Sequence, residues 1–435
     1  MPHCIKPCQK IRGTIHLPGD KSITHRSVMV SAIAKGSTCI KNFSFSDDCK
    51  ATINAIRLLG VKVQRLDNDT LSVEGVGLFG LTKPTRAINV GESATTMRIL
   101  AGLLCAQNFE TTLDGSEGLR KRPMLRVLKP LRLMGAEIHA RKKGNDEYPP
   151  LRICPGKLKA LHWKMPVASA QVKSAIILAG MYARGISTIY EPLRTRDHTE
   201  RMLRYFKANI KVTRKKISIG HGELTSPKSI RIPSDISSAS FFIVLACVLK
   251  NSHIAIRNVS LNQTRCGIID VLKKMGGRIQ IINKQEKYGE PIGDLVVESS
   301  SLRAVTVEER RIPTLIDELP ILMVAASFAK GTTILKGVSE LRVKETDRIS
   351  SMVVNLSKMG VLIESKLKGN KEVISIQGKA GVRGGSFSSF GDHRTAMSLV
   401  IAGLAANSPT SIDEVACVAK SFPNFLDILK YLVVS

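Results

Sequence analysis

Ser27-Val28-Met29-Val30-Ser31-Ala32-Ile33-Ala34, then Lys35-Gly36, then Ser37-Thr38-Cys39-Ile40, is the stretch whose reading decides the fold. Small and apolar residues at helical spacing meet a glycine turn and then a short β-branched strand. The same order recurs from Arg98 to Ala106 with Thr111-Thr112-Leu113, and from Ala175 to Ala183 with Ser187-Thr188-Ile189. It returns from Phe241 to Leu249 with Ile254-Ala255-Ile256, from Ile321 to Ala329 with Thr332-Thr333-Ile334, and from Ala396 to Ala405 with Thr410-Ser411-Ile412. Six ordered recurrences mark an internal repeat of one strand-and-helix unit. A second helix follows each strand. Four of these reach a glycine suited to a helix C-cap: Ala55 to Gly60, Val127 to Gly135, Val271 to Gly276 and Val353 to Gly360. The third copy has Lys207-Ala208 at that place, and the sixth runs out with the sequence.

Copies one and four share an opening. Pro18-Gly19-Asp20-Lys21-Ser22 matches Pro233-Ser234-Asp235-Ile236-Ser237. These points divide the six units into three and three. The expectation is an α/β protein of two domains. One is continuous over 19–233, and one joins 1–18 to 234–435, with a two-stranded hinge near 18–20 and 233–235.

The 435 residues provide ample core for two such domains. Nine cysteines form no CxxC pair and no Cys/His spacing typical of a metal site, so they read as reduced, mostly buried small hydrophobes. The longest apolar helical run, Thr395 to Ala406, is too short to span a bilayer, and no signal or transit peptide opens the chain. A cytoplasmic protein is expected, with no metal, no cofactor and no membrane partner. The formal net charge of +29 points to a polyanion or to small anionic substrates on a basic surface. Its Lys and Arg are scattered, and aromatics are only 4% of the chain, which argues against nucleic acid as the partner.

Each apolar first helix begins with polar residues. In order these are Asp20-Lys21-Ser22, Glu92-Ser93-Ala94-Thr95, Ser169-Ala170-Gln171, Ser237-Ser238, Asp317-Glu318 and Asp392-His393-Arg394. Taken singly, each is an N-cap. Helix N-termini also expose free N–H groups and the positive end of the helix dipole. If six such ends face a cleft, the cleft attracts anions before any side chain is counted. Lys21-Ser22 after Pro18-Gly19 is a moderate phosphate signal without P-loop glycine spacing. Leu341-Arg342-Val343-Lys344-Glu345-Thr346-Asp347-Arg348 sets cations and a carboxylate at an expected helix start, with Lys344 and Arg348 on one face and Glu345 in reach of Arg348. Alone, that run would be a solvated face.

Together these pieces closely resemble the enolpyruvyl transferases known as EPSP synthases, over nearly the whole chain. The resemblance implies a two-domain inside-out α/β barrel of six βαβαββ repeats, three per domain. It implies transfer of enolpyruvyl from phosphoenolpyruvate (PEP) to shikimate 3-phosphate, by a monomer and without a cofactor. Lys21-Ser22-Ile23-Thr24-His25-Arg26 matches the first motif, with Ser22 and Arg26 on shikimate 3-phosphate and Lys21 facing the PEP phosphate. Ser169, Ala170, Gln171 and Arg196 match further shikimate-phosphate positions, and His198 reads as structural. Gly91, Ala94, Thr95, Arg122, Gln171, Arg348, Arg394 and Lys420 match PEP positions. Asp317 would meet the attacking hydroxyl, with Lys344 and Glu345 as companion base and acid. Two residues depart from the pattern. Glu92 stands where Asn is usual, and at about 6 Å from an anion would cost roughly 3 kcal/mol, so it should turn away or pair with a cation such as Lys21. Ala94 stands where Gly is frequent and resembles a glyphosate-insensitive subgroup, although Lys420 can be absent there. The rival readings are the sister enzyme acting on UDP-N-acetylglucosamine and a non-catalytic polyanion binder. The former typically carries a loop cysteine, which Gly115-Ser116-Glu117-Gly118 lacks.

Overall fold

The structure is a computed structural model that describes residues 3–213, 215–369, 371–379 and 381–434. It divides into two compact units. One comprises residues up to Pro18, Pro233–Lys287 and Pro291 onward; the other comprises Gly19–Ile232 with Tyr288–Glu290. Two boundaries differ from the sequence expectation. Pro233 belongs with the discontinuous unit, where the following Ser234 bonds the Asn258 carbonyl at 2.8 Å and the Leu17 carbonyl at 3.2 Å. Tyr288–Glu290 belongs with the continuous unit because Glu290 meets the buried His198 ring at 2.7 Å and Tyr288 stands edge-on to Tyr205.

The continuous unit is built on three inner helices: α1 (Lys21–Ala32), α2 (Ala94–Leu104) and α3 (Ala170–Gly180). Nearly every side chain on them is buried, which is why they lack the polar stripe of a surface helix. Small residues let them approach closely: a β-carbon on Gly102 would lie 2.2 Å from the Ala175 carbonyl oxygen. Three four-stranded sheets pack against them. The first runs Ser229–Arg231, Lys35–Lys41, Thr70–Val76, Val63–Arg65; the second Ile88–Asn89, Thr111–Asp114, Asp146–Cys154, Glu137–Lys143. The third runs His162–Lys164, Ser187–Tyr190, Lys216–Ile219, Ile210–Val212. In each, the leading pair is parallel and the rest antiparallel. The last strand of the unit, Ser229–Arg231, joins the first sheet beside Cys39 to Lys41 and so closes the cycle.

The discontinuous unit repeats the plan on α4 (Ile236–Val248), α5 (Leu319–Ser327) and α6 (His393–Leu404). Its sheets need the start of the chain. Arg12–His16 runs parallel to His253–Ser260, and His3–Ile5 pairs antiparallel with Thr410–Ile412. Helices inside and sheets outside, in six βαβαββ repeats with three in each unit, make an inside-out α/β barrel. The sixth copy is abbreviated: among the described residues its sheet has three strands, His3–Ile5, Thr410–Ile412 and Ser386–Phe387. No helix among the described residues is long and apolar enough to cross a membrane.

The second helices end as their glycines predict, with Gly60, Gly135, Gly276 and Gly360 at φ of 85°, 99°, 94° and 81°. Lys207 takes the same left-handed turn at φ 63°, with its amide bonded to the Arg204 carbonyl at 2.9 Å and its side chain exposed. A β-carbon in that region costs about 1–2 kcal/mol, part of which glycine returns as unfolded-state entropy. Lys207→Gly should therefore stabilise the protein by about 0.5–1 kcal/mol, read as a raised urea midpoint at unchanged m-value.

Candidate active site

The inner helices place most of the expected residues at their N-terminal turns. Asp20, Ser93, Ser169, Asp235 and Asp392 each cap their own helix through a side-chain oxygen. The α5 start differs: Pro320 has no N–H to satisfy, and Glu318 makes no capping bond. Its Oε1 instead accepts from the hydroxyl of Ser237 at the start of α4.

In the continuous unit the site residues are held by hydroxyls, amides and a few ion pairs. Lys21 Nζ lies 2.9 Å from Asp48 Oδ2. Arg26 is buried and donates to the Ser22 carbonyl at 2.9 Å, Thr199 Oγ1 at 2.7 Å and Ser174 Oγ at 3.0 Å. Burial lowers its pKa to about 10, opposed by Glu200 and furthered by the nearby Arg196 guanidinium. An anion between two such cations would relieve both. Arg196 is presented by a loop that Glu191 fixes from below, through Thr195 N at 3.1 Å and the fully buried Lys173 at 3.1 Å. Gln171 joins α3 to α2, accepting from Arg98 at 2.7 Å and donating to Thr95 Oγ1 at 2.9 Å. Arg98 also reaches the Pro123 carbonyl at 3.1 Å, so it positions the segment carrying the half-buried Arg122. Behind these ends runs a buried chain from His25 Nδ1 through Thr52 and Thr96 to Ser93, each step 2.6–2.7 Å. Burial holds His25 well below its ordinary pKa, hence neutral.

The pairing of Glu92 with Lys21 does not form. Glu92 accepts from Ser116 Oγ and sits against Gly118, where a β-carbon would lie 2.8 Å from its Oε2. Lys21 has taken Asp48 instead. Gly91 is left-handed at φ 57°, and a β-carbon there would meet nothing within 4 Å, so space lies open beside the start of α2. Ala94 is the first residue of that helix and is buried.

In the discontinuous unit the site is ionic. The Asp317 carboxylate has three buried guanidiniums around it: Arg348 at 3.6 Å, Arg265 at 3.7 Å and Arg394 at 3.8 Å. Arg394 also donates to the Asp317 carbonyl at 2.9 Å, which fixes the residue's backbone. Arg348 is the hub. It meets Asp392 at 2.8 Å and Glu345 at 2.6 Å. Burial is the largest influence on Arg348 and acts to discharge it, yet Asp392, Glu345 and Asp317 outweigh it and hold the pKa above the ordinary arginine value. For Asp392 burial acts in the opposite direction, raising the pKa, but Arg348 with His393 brings the net shift below the usual carboxylate value. Lys344 Nζ reaches Glu340 at 3.3 Å, and burial lowers its pKa, against Glu340 and Asp317 and with Arg348. Lys420 ends a 3₁₀ turn, Ala416–Lys420, and lies near Cys417.

One local expectation fails. Lys344 and Arg348 do not share a helix face. Ser339–Val343 is a 3₁₀ turn, and the helix begins only at Arg348. Asp347 causes the break: its carboxylate accepts from Ile349 N at 3.1 Å and Ser350 N at 3.0 Å, the role of an N-cap. Glu345 still reaches Arg348, as its spacing suggested. Sequence reading missed Asp48 and Arg265 as members of these clusters, gave Arg98 no role, and read Asp392 as a helix start without its pairing to Arg348. A charged residue inside an apolar helix, as at Arg98, is a signal; Arg265 in a polar loop offers none.

Removing one partner of a buried ion network leaves the other unpaired. Asp392→Asn should cost about 3 kcal/mol in urea unfolding at pH 7. The folded pKa of Asp392 is depressed, so its contribution is present above the unfolded value of about 3.9 and is lost as pH falls through the lower folded value. The variant's acid-side stability curve should be correspondingly flatter.

The described geometry can be set beside known proteins. A family model for EPSP synthase (3-phosphoshikimate 1-carboxyvinyltransferase) matches residues 5–429. A 3-phosphoshikimate 1-carboxyvinyltransferase of Geotalea uraniireducens is 47% identical over 432 residues, covering 99% of both chains. One of Bacillus cytotoxicus is 45% identical over 97% of this chain and 98% of its own. The solved EPSP synthase of Acinetobacter baumannii superposes with a TM-score of 0.88 at 41% identity, over 99% of this chain and 98% of that one. The enolpyruvyl transferase NikO of Streptomyces tendae shares the fold, with a TM-score of 0.77 at 15% identity over 99% of this chain and 96% of that one. Motif residues gathered at the inner-helix ends, and likeness over nearly the full length, lead to one conclusion: this chain belongs to the EPSP synthase (3-phosphoshikimate 1-carboxyvinyltransferase) family.

Proposed function

We propose that the protein transfers the enolpyruvyl group of PEP to the 5-hydroxyl of shikimate 3-phosphate, giving 5-enolpyruvylshikimate 3-phosphate and phosphate. The observation that carries this reading is the network of Asp317, Arg348, Glu345 and Asp392, on residues that also match the motif positions. An alcohol is a weak nucleophile and the PEP double bond must gain a proton, so the reaction needs positioned acid–base groups beside fixed cations.

The roles follow from each unit's set. Arg26, Arg196, Ser22, Ser169, Ala170 and Gln171 hold shikimate 3-phosphate. Arg26 suits the phosphate because its burial and the nearness of Arg196 favour a bound anion. Lys21, Gly91, Ala94, Thr95 and Arg122 match PEP positions, as do Arg348, Arg394 and Lys420, whose charge suits that anion. Asp317 orients the attacking hydroxyl and takes its proton. As the new carbon–oxygen bond forms, Glu345 delivers a proton to the PEP methylene; it then removes a methyl proton as phosphate leaves. Lys344, whose pKa burial lowers toward the neutral amine, serves as the companion base beside it. Lys21 assists phosphate departure.

The test is phosphate release from PEP with shikimate 3-phosphate, and in parallel with UDP-N-acetylglucosamine. Turnover is expected with the former alone, and Glu345→Gln should lose about 10²–10⁴-fold in kcat. Turnover with the sugar nucleotide, or an unimpaired variant, would overturn the reading.

We also propose that the Ala94 methyl excludes glyphosate, which is longer than PEP, while PEP still fits. The support is the placement of Ala94 as the buried first residue of α2, three residues after the open space at Gly91. Crowding of this kind costs about 1–3 kcal/mol, so Ala94→Gly should lower the glyphosate inhibition constant roughly 5- to 150-fold. A wild type already as sensitive as the variant would refute it.

A further inference from the structure

The second sheet of the continuous unit carries a cluster that the reaction does not use. On the antiparallel pair Glu137–Lys143 and Asp146–Cys154, Glu137 stands directly opposite Cys154, and His139 follows two residues on, on the same face. The next strand continues the row. Thr111 pairs with Ile153, and Glu110 just before it accepts from Cys154 Sγ at 3.9 Å. The Glu137 carboxylate, an imidazole nitrogen of His139 and the Cys154 sulfur all lie within 4.8 Å of one another, and His139 Nε2 is already 3.0 Å from Glu137 Oε1. Tetrahedral coordination at zinc-like bond lengths sets ligands about 3.3–3.8 Å apart, so side-chain rotation of about 1 Å suffices to close the set. The strands hold the Cα positions, so no backbone need move. The other charges near the sulfur are Glu110 and Arg152, which pair at 2.8 Å with both side chains about half exposed, a contact that solvent already weakens.

We propose that Cys154, His139 and Glu137 form a binding site for a borderline divalent transition cation of the zinc class, with Glu110 or water as the fourth ligand. Sulfur with imidazole and carboxylate selects that class over Mg²⁺ or Ca²⁺, which prefer oxygen alone. Sequence spacing conceals the set, because 15 residues separate Cys154 from His139 and a hairpin brings them together. Binding joins neighbouring strands of the sheet and stabilises the folded state by linkage. It also deprotonates the thiol, which burial and the flanking carboxylates otherwise hold up, so affinity falls with falling pH.

Co²⁺ is the probe, added to reduced, chelator-stripped, tag-free full-length protein. A thiolate-to-cobalt charge-transfer band is expected at one equivalent, together with a raised melting temperature. Zn²⁺ should abolish the band by displacement, and millimolar Mg²⁺ should leave it unchanged. Cys154→Ser, nearly isosteric, should lack the band while keeping the wild-type circular dichroism and turnover. Should that variant misfold, His139→Asn on the exposed strand face serves instead, and should weaken Co²⁺ binding at least about tenfold. Absence of the band in the wild type, or its persistence in Cys154→Ser or at full affinity in His139→Asn, would overturn the site.

Discussion

Three guanidiniums converge on the one carboxylate of Asp317, and the discontinuous unit is arranged so that all of them are paired. Arg265, Arg348 and Arg394 are almost wholly out of water. Each would cost several kcal/mol without partners, so the surrounding chain must supply carboxylates at set positions. Asp235, Glu318, Glu345 and Asp392 are those groups, and each belongs to a helix start or the loop before one. The helix dipoles do not stabilise these cations; the carboxylates do. The caps therefore carry a second duty: Asp392 Oδ1 accepts from the Arg394 amide and Oδ2 accepts from Arg348 Nε.

The continuous unit meets the same demand at its helix ends with less charge. Hydroxyls relay from Ser93 to His25, and Gln171 bridges Thr95 and Arg98. Neutral relays position groups without strong fields, which suits holding a hydroxylated ring. Clustered carboxylates and cations suit moving protons.

Glu92 shows that a side chain's partner need not be one its sequence neighbourhood suggests. A carboxylate at the start of α2 would repel a bound anion, yet its bond to Ser116 turns it toward the loop at Gly118. That loop leads directly to Arg122. The bond therefore ties the start of α2 to the segment that carries Arg122. The spacing of Glu92 and Ser116 carries no sign of this, because the strand Thr111–Asp114 lies between them.

The sequence by itself determined the six-fold repeat, the division near Pro18 and Pro233, the inner-helix starts and the family's motif residues. These are legible because helical periodicity, glycine at C-caps and polar residues at N-caps are local signals, written within a few residues of where they act. The left-handed turn at Lys207 was legible as a place but not as a strain. Tertiary structure alone decided which charges meet. Asp48 with Lys21, Arg265 with Asp317 and Asp392 with Arg348 are joined across helices or loops. Even within Lys344–Arg348, the Asp347 cap overrode helical spacing. Ion pairing acts through space, so only the packed chain can say which partners lie within reach.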